Sequence, residues 1–151
     1  EKFKFRGVKD KQLVGYYFPA EEKNKKVVAI SPGWSEPSRL YLELVYDLNR
    51  VGFDVYIMDH RGQGESERFI DCECSHIDNS LYYVQDFKKF LTDYILIKNP
   101  EQLIVFGHSM GAAIAALAAS DMPEKINRLV LSAPLFQVNT GAFPEFAARL
   151  I

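Results

Sequence analysis

The sequence has few of the residues that mark metal-rich, disulfide-linked or strongly charged proteins. Its 151 residues include two cysteines, one tryptophan and three histidines, and 18 Lys and Arg nearly balance 20 Asp and Glu. The net charge of -2 gives no reason to expect a nucleic-acid partner, because phosphate binding needs a concentrated positive field. No apolar run approaches the roughly 18 residues that span a bilayer, and residues 1–7 lack the apolar core of a secretory signal. One soluble, cytoplasmic domain is therefore predicted.

The two cysteines lie close together in a polar segment. Cys72 and Cys74 are separated by one residue, so their side chains point apart in an extended chain and a disulfide between them would be strained. His76 lies nearby and makes a metal site conceivable, but structural zinc requires four ligands in paired spacing. We favour two reduced thiols in a loop, which fits a reducing compartment, and we expect no metal and no cofactor.

Short apolar runs alternate with segments of helical length. Phe3 and Phe5 alternate with charged residues, and together with residues 13–18 they predict an antiparallel hairpin around a turn at 8–11. Continuous apolar runs predict strands covered on both faces, as in a parallel sheet; these are residues 27–30, 55–58, 103–106 and 129–131. The pattern predicts an α/β fold, a three-layer sandwich with a mostly parallel sheet and an antiparallel N-terminal hairpin.

Three helices are predicted between these strands. Residues 39–51 place Leu40, Leu44, Val45 and Leu48 on one face and stop at Gly52, a suitable C-cap. Residues 79–97 repeat apolar side chains from Leu81 to Tyr94 and stop before a proline, and residues 110–120 form an Ala-rich helix. Ligands of open α/β sheets bind at the carboxyl ends of the strands, so functional residues are expected to follow each apolar run.

A nucleophile motif follows the third of these runs. Gly107, His108, Ser109, Met110 and Gly111 match the pattern G-x-S-x-G between a predicted buried strand and an Ala-rich helix. A tight strand-to-helix turn projects the Ser109 hydroxyl into the site, and small flanking residues prevent clashes in so sharp a turn. The helix N-terminus behind the serine, with the N–H of Met110, favours developing negative charge. We predict that Ser109 is a nucleophile.

Two polar loops follow the first and second runs. The loop at 31–36 contains Gly33 and could present backbone N–H groups beside Ser109; Trp34 within it is interpreted either as a packed anchor or as a wall of an acyl site. The loop at 59–66 contains His60, which we expect to brace the loop rather than to act as a base. His108 is expected to point away from the oxyanion side, and His76 to be structural.

Together these motifs resemble the α/β-hydrolase superfamily, and within it the branch of monoacylglycerol lipases and bacterial lysophospholipases. The resemblance covers residues 3–134 and rests on segments 32–36, 53–66, 76–86, 107–111 and 129–134. It implies that Ser109 is the nucleophile and that backbone N–H groups of Trp34 and Met110 form the oxyanion hole. Pro32 stands where lipases of this branch commonly carry His; the lysophospholipases have Pro there, which favours a lysophospholipid substrate over a monoacylglycerol.

The resemblance also implies residues that this sequence lacks. The triad order in this fold is Ser, acid, His, yet no histidine follows Ser109, and the later acids are Asp121, Glu124 and Glu145. We expect residues 1–134 to be the N-terminal part of a hydrolase core, truncated after about the sixth strand, with residues 135–151 starting a lid. The triad His and acid would lie beyond residue 151, this chain alone would be inactive, and the missing segment or another chain would cover the exposed sheet edge.

Other functions fit the same motifs. Another carboxylesterase or a peptidase could use this scaffold, because a fold does not fix a substrate. A non-catalytic binding module is a second class, supported by the absent His and acid. The apolar residues after Leu135 are interpreted either as a helix over the pocket or as a peripheral membrane contact.

Overall fold

A six-stranded sheet forms the centre of the protein. The computed structural model describes residues 1–22, 25–68, 77 and 79–136. The strands are β1 (Lys2–Arg6), β2 (Gln12–Phe18), β3 (Lys26–Ser31), β4 (Asp54–Asp59), β5 (Gln102–His108) and β6 (Arg128–Ser132). They lie in the order β1-β2-β4-β3-β5-β6. The β1–β2 and β2–β4 pairs are antiparallel, and β4–β3, β3–β5 and β5–β6 are parallel. The predicted hairpin and the mostly parallel sheet are confirmed.

Helices cover both faces of this sheet. Helix α1 (Leu42–Arg50) packs Val45 on one face, whereas α2 (Leu81–Phe90) and α3 (Met110–Asp121) pack on the other. Successive residues of β3 alternate between the two layers, with Val28 facing α1 and Ala29 facing α2 and α3. Burying apolar surface on both faces, at about 25 cal/mol per Å², stabilises the arrangement. The predicted three-layer sandwich is confirmed.

The first helix begins later than its sequence pattern indicates. Residues 38–41 form a 3₁₀ turn, and the α-helix starts only at Leu42. Leu40, predicted on the buried face, is 62% exposed, because a 3₁₀ turn has three residues rather than 3.6 and rotates that side chain away from the face of Val45. Gly52 has a φ of 85° and ends the helix as expected.

The second predicted helix is divided. Helix α2 continues into a π-helical turn, Leu91–Ile95, and a 3₁₀ turn, Leu96–Lys98, before Asn99 adopts a left-handed conformation. Phe87 and Phe90 are fully buried as predicted, but Leu81 is 55% exposed. Leu81 is the first residue of the helix, and the buried residues of α2 begin at Tyr83.

Strand β6 is less buried than a strand covered on both faces. Leu129 and Val130 are 38% and 46% exposed, so the prediction of full burial is wrong. Within the described part of the chain, β6 is an edge strand that pairs only with β5. Strand pairing covers the edge of a strand and not its faces, so the exposure of Leu129 and Val130 shows that the described helices cover β6 only in part. The expected open edge is found there.

Several predictions concern residues that the structure does not describe. Cys72, Cys74 and His76, and the expected lid from residue 137 onward, lie outside the described residues. The described residues contain no group of three or more His, Cys, Asp or Glu side chains that could hold a metal ion. None of the described helices has the length and apolar character needed to cross a membrane.

Candidate active site

Ser109 occupies a strained turn between β5 and α3. Its backbone angles are φ 53° and ψ -120°, a conformation that favours glycine and is costly for a residue with a Cβ atom. The Ser109 N–H donates to the carbonyl of Ser132 at 3.0 Å, and its own carbonyl accepts from the Leu135 N–H at 3.1 Å. These two bonds fix the turn to the carboxyl end of β6.

The flanking glycines are required by the space around the turn. A Cβ atom at Gly107 would lie 2.6 Å from the Ala112 Cα, and one at Gly111 would lie 2.1 Å from the Ser31 carbonyl oxygen. Both contacts are with backbone, which cannot move aside as a flexible side chain can. The close approach of Gly111 to Ser31 also brings the Ser109 turn directly against the end of β3.

Helix α3 starts at Met110, directly after the serine. The first N–H groups of a helix have no intrahelical acceptor. This position fits the oxyanion role predicted for the Met110 N–H, which stays a prediction. The helix can approach the sheet closely because its inward side chains are small; Ala112, Ala115 and Ala118 are fully buried. The sequence therefore positions the helix N-terminus behind Ser109 through packing of alanines.

The loop after β3 leaves one N–H group between two that already have acceptors. The Gly33 N–H donates to Glu36 Oε2 at 2.8 Å, and the Ser35 N–H donates to Gln63 Oε1. Among the described residues, no acceptor contacts the N–H of Trp34, the residue between them. The Trp34 side chain is 47% exposed and is therefore not a packed anchor, whereas its interpretation as a wall of the acyl site stays a prediction.

A glutamate links this loop to the nucleophile turn. Glu36 Oε2 accepts hydrogen bonds from the Tyr41 hydroxyl and from the Gly33 N–H, and it lies 3.0 Å from His108 Nδ1. Burial alone would raise the pKa of Glu36, but the hydrogen bonds from Tyr41, His108 and Gly33 outweigh it and lower that pKa. His108, the variable residue of the motif, thus points toward the loop that carries Trp34 and contacts a carboxylate. The expectation that it points away from the oxyanion side is wrong.

His60 is a buried structural histidine. It is 1% exposed, its Nε2 lies 3.0 Å from Ser31 Oγ, and its ring meets Tyr83 and Phe87 edge-on. Burial lowers the pKa of His60 to about 4, so the ring is neutral at pH 7. Within the described structure it does not contact Ser109, which agrees with a bracing role.

Two buried carboxylates hold the loop after β4, and sequence reasoning missed both. Asp86 in α2 forms a bidentate ion pair with Arg61, at 2.6 and 2.9 Å, and both side chains are almost fully buried. Asp59 accepts hydrogen bonds from the N–H and hydroxyl of Ser38, both at 2.7 Å, and from the Glu65 N–H at 2.9 Å. An aspartate on the apolar face of α2 was a usable signal, since buried acids require partners.

The geometry agrees with comparisons to known proteins. A family model described as serine aminopeptidase, S33, of the Hydrolase_4 type, matches residues 22–151. The chain belongs to this family of α/β hydrolases. Its relatives include lysophospholipase L2 of Escherichia coli K12, 36% identical over 148 residues, and monoglyceride lipase of Rattus norvegicus, 30% identical over 141 residues. These alignments cover 97% and 89% of the chain but 43% and 42% of those two proteins.

Solved structures confirm the fold. A soluble variant of monoglyceride lipase from Saccharomyces cerevisiae, in complex with a substrate analog, superposes with a TM-score of 0.78 at 19% identity, over 93% of this chain and 46% of that one. A thermostable carboxyl esterase from Bacillus coagulans gives 0.76 at 23% identity, over 87% and 43%. The chain thus spans less than half the length of these two relatives and two solved structures.

The structure of this family member brings part of the predicted site together. Ser109, Met110 and the two glycines form one turn, and the Trp34 loop reaches it through Glu36 and His108. No general base is in place among the described residues, because His60 and His108 are bonded elsewhere and no histidine follows Ser109 in the sequence. Ser109 and both predicted oxyanion donors thus follow the carboxyl ends of β3 and β5.

Proposed function

We propose that this chain carries the nucleophile and oxyanion hole of a serine hydrolase that cleaves carboxylic esters of lysophospholipids or monoacylglycerols. The observation that carries the proposal is the strained Ser109 turn between two glycines that cannot be replaced. Such strain persists only where surrounding structure enforces it, and it clusters at functional sites. The names of the relatives, lysophospholipase and monoglyceride lipase, support the substrate class.

In this proposal Ser109 Oγ attacks the ester carbonyl carbon while a base accepts its proton. The carbonyl π electrons move to oxygen, and N–H groups of Trp34 and Met110 stabilise that oxyanion. Collapse breaks the bond to the alcohol, which leaves with a proton, and the acyl group remains on Ser109. Water then attacks the acyl carbon and gives a proton to the base, the bond to Ser109 Oγ breaks, and the carboxylic acid leaves as Oγ regains its proton. The base and its orienting acid come from outside residues 1–151, so these residues alone hydrolyse esters poorly.

The test is a serine-directed probe on the full-length protein that contains these residues. Labelling by a fluorophosphonate, located by mass spectrometry, and hydrolysis of a monoacylglycerol and a lysophospholipid are measured in the wild type and in Ser109→Ala. Ser120→Ala is the matched control, because that exposed α3 hydroxyl bonds only to Leu117 O. We expect Ser109→Ala alone to lose both signals while its circular dichroism is unchanged. Hydrolysis that survives Ser109→Ala refutes the proposed nucleophile.

A second candidate is peptide hydrolysis, favoured by the description of the matching family model as a serine aminopeptidase. The same acyl-enzyme chemistry cleaves amides when the leaving amine is protonated. Comparing an amino-acyl nitroanilide with a monoacylglycerol at equal enzyme concentration separates the two candidates. Turnover of the anilide alone, lost in Ser109→Ala, would replace the esterase proposal by the peptidase.

A further inference from the structure

A small polar pocket lies beside the loop that carries Trp34. Its volume is about 220 Å³, and its walls come from the loop after β3, through Ser35, Pro37 and Arg39, and from the loop after β4, through Gln63, Gly64 and Arg68. Ser35 directly follows Trp34, the proposed oxyanion donor, and its N–H is bound to Gln63. The pocket therefore adjoins the site where an ester carbonyl would be held.

Two arginines, Arg39 and Arg68, line this pocket without a carboxylate partner among the described residues. Neither Arg39 nor Arg68 forms an ion pair within the described part of the chain. Arg68 Nη1 donates to the Gly64 carbonyl at 3.3 Å, which holds the side chain along the wall. Its Nε is buried and has no hydrogen-bond partner, and a buried donor without an acceptor is costly.

The nearby carboxylates are already bound to other groups. Glu65 pairs with Lys2 and Tyr16, and Glu67 pairs with Lys11 and the Gln12 N–H. Asp59 accepts from Ser38 and Glu65, and Glu36 accepts from Tyr41 and Gly33. The positive charge of the two arginines is therefore not neutralised by these acids and remains available to an external anion.

We propose that Arg39 and Arg68 bind the phosphate of a lysophospholipid headgroup during ester cleavage at Ser109. Guanidinium groups match phosphate oxygens in charge and geometry. In a lysophospholipid the glycerol separates the phosphate from the scissile ester, so the anion lies beside, not inside, the oxyanion site. A monoacylglycerol has no phosphate and gains nothing from these arginines. This inference rests on the proposed function and makes lysophospholipid its preferred substrate.

The first test measures substrate preference in the full-length protein. Specificity constants are compared for a lysophospholipid and a monoacylglycerol with the same acyl chain, in wild type, Arg39→Gln, Arg68→Gln and Arg68→Lys. Arg50→Gln is the control, because this exposed α1 arginine lies over the Tyr46 ring, away from the pocket. We expect each Gln variant to lower kcat/KM for the lysophospholipid about 10- to 100-fold and to leave monoacylglycerol hydrolysis unchanged, with partial recovery in Arg68→Lys. An equal fall for both substrates would overturn the headgroup site.

A second measurement does not depend on hydrolysis. Binding of glycerol 3-phosphate and of inorganic phosphate to the full-length protein is measured by isothermal titration calorimetry, in wild type and in Arg68→Gln. Saturable binding of glycerol 3-phosphate that Arg68→Gln abolishes supports the subsite even if Ser109→Ala refutes the nucleophile. Stronger binding of inorganic phosphate, with no change in substrate preference in the arginine variants, would assign a free-phosphate site and overturn the headgroup proposal. If neither glycerol 3-phosphate nor inorganic phosphate binds, the headgroup proposal is also overturned.

Discussion

Glu36 Oε2 lies 3.0 Å from His108 Nδ1 and so joins the loop after β3 to the turn that carries Ser109. The same oxygen accepts from the N–H of Gly33, the residue directly before Trp34. One carboxylate thus couples the two elements from which the proposed oxyanion donors come. A hydrogen bond to a charged acceptor is stronger than one to a neutral acceptor, so the charge of Glu36 matters to this coupling.

Replacing Glu36 by Gln keeps an acceptor but removes the charge. We expect kcat of the full-length enzyme to fall about tenfold with little change in KM. The folded pKa of Glu36 is lowered, so its stabilising contribution is present above the unfolded pKa and is lost as pH falls through the folded value. Urea unfolding below pH 4.5 should therefore show a steeper loss of stability in wild type than in Glu36→Gln, with the exposed Glu124→Gln matching wild type.

Ser109→Gly is expected to stabilise the protein while removing the nucleophile. Glycine adopts the observed φ of 53° without the strain of about 1–3 kcal/mol that a Cβ atom incurs there. The larger conformational entropy that glycine loses on folding offsets about 0.5–1 kcal/mol of this gain. We expect the free energy of unfolding to rise by about 1 kcal/mol in urea titrations. Ser109→Ala retains the Cβ atom and should show no such gain; equal stability of the two variants would contradict strain at this turn.

The buried Arg61–Asp86 pair should be far more sensitive than an exposed one. Asp86→Asn leaves the Arg61 guanidinium buried without a counter-ion, and we expect a loss of about 3–5 kcal/mol in the free energy of unfolding. The control is Asp93→Asn in the exposed Lys89–Asp93 pair, for which a loss below about 1 kcal/mol is expected. Similar urea midpoints for the two variants would show that Asp86 has no special role.

His60 should make stability depend on pH. Its folded pKa is lowered to about 4 from an ordinary 6.5, so between these values the unfolded chain binds a proton that the folded one does not. Stability should therefore fall as pH decreases from 6.5 to 4, by on the order of 3 kcal/mol in total, and should level off below that. In His60→Gln this component should be missing from urea titrations at several pH values, whereas His108→Gln should retain it.

The candidate site was predictable to the extent that it depends on local backbone geometry. The pattern from Gly107 to Gly111 predicts a sharp turn, and the structure has one, with no room for a Cβ atom at either glycine. Roles of residues that act through contacts were not predictable. Nothing in the sequence indicates that Glu36 meets His108, since 72 residues separate them, or that Asp86 of α2 meets Arg61.

The sequence by itself determined the α/β class, the hairpin, the strand positions and the sharp turn at Ser109. Each of these follows from periodicity, apolar runs or the conformational needs of glycine, which are properties of neighbouring residues. Only the tertiary structure decided that Leu40 and Val130 are exposed and that Arg39 and Arg68 line one pocket. It also decided that Glu36 contacts His108 and that Asp86 contacts Arg61. Burial and charge pairing depend on residues that are distant in the chain, and the folded sheet order brings them together.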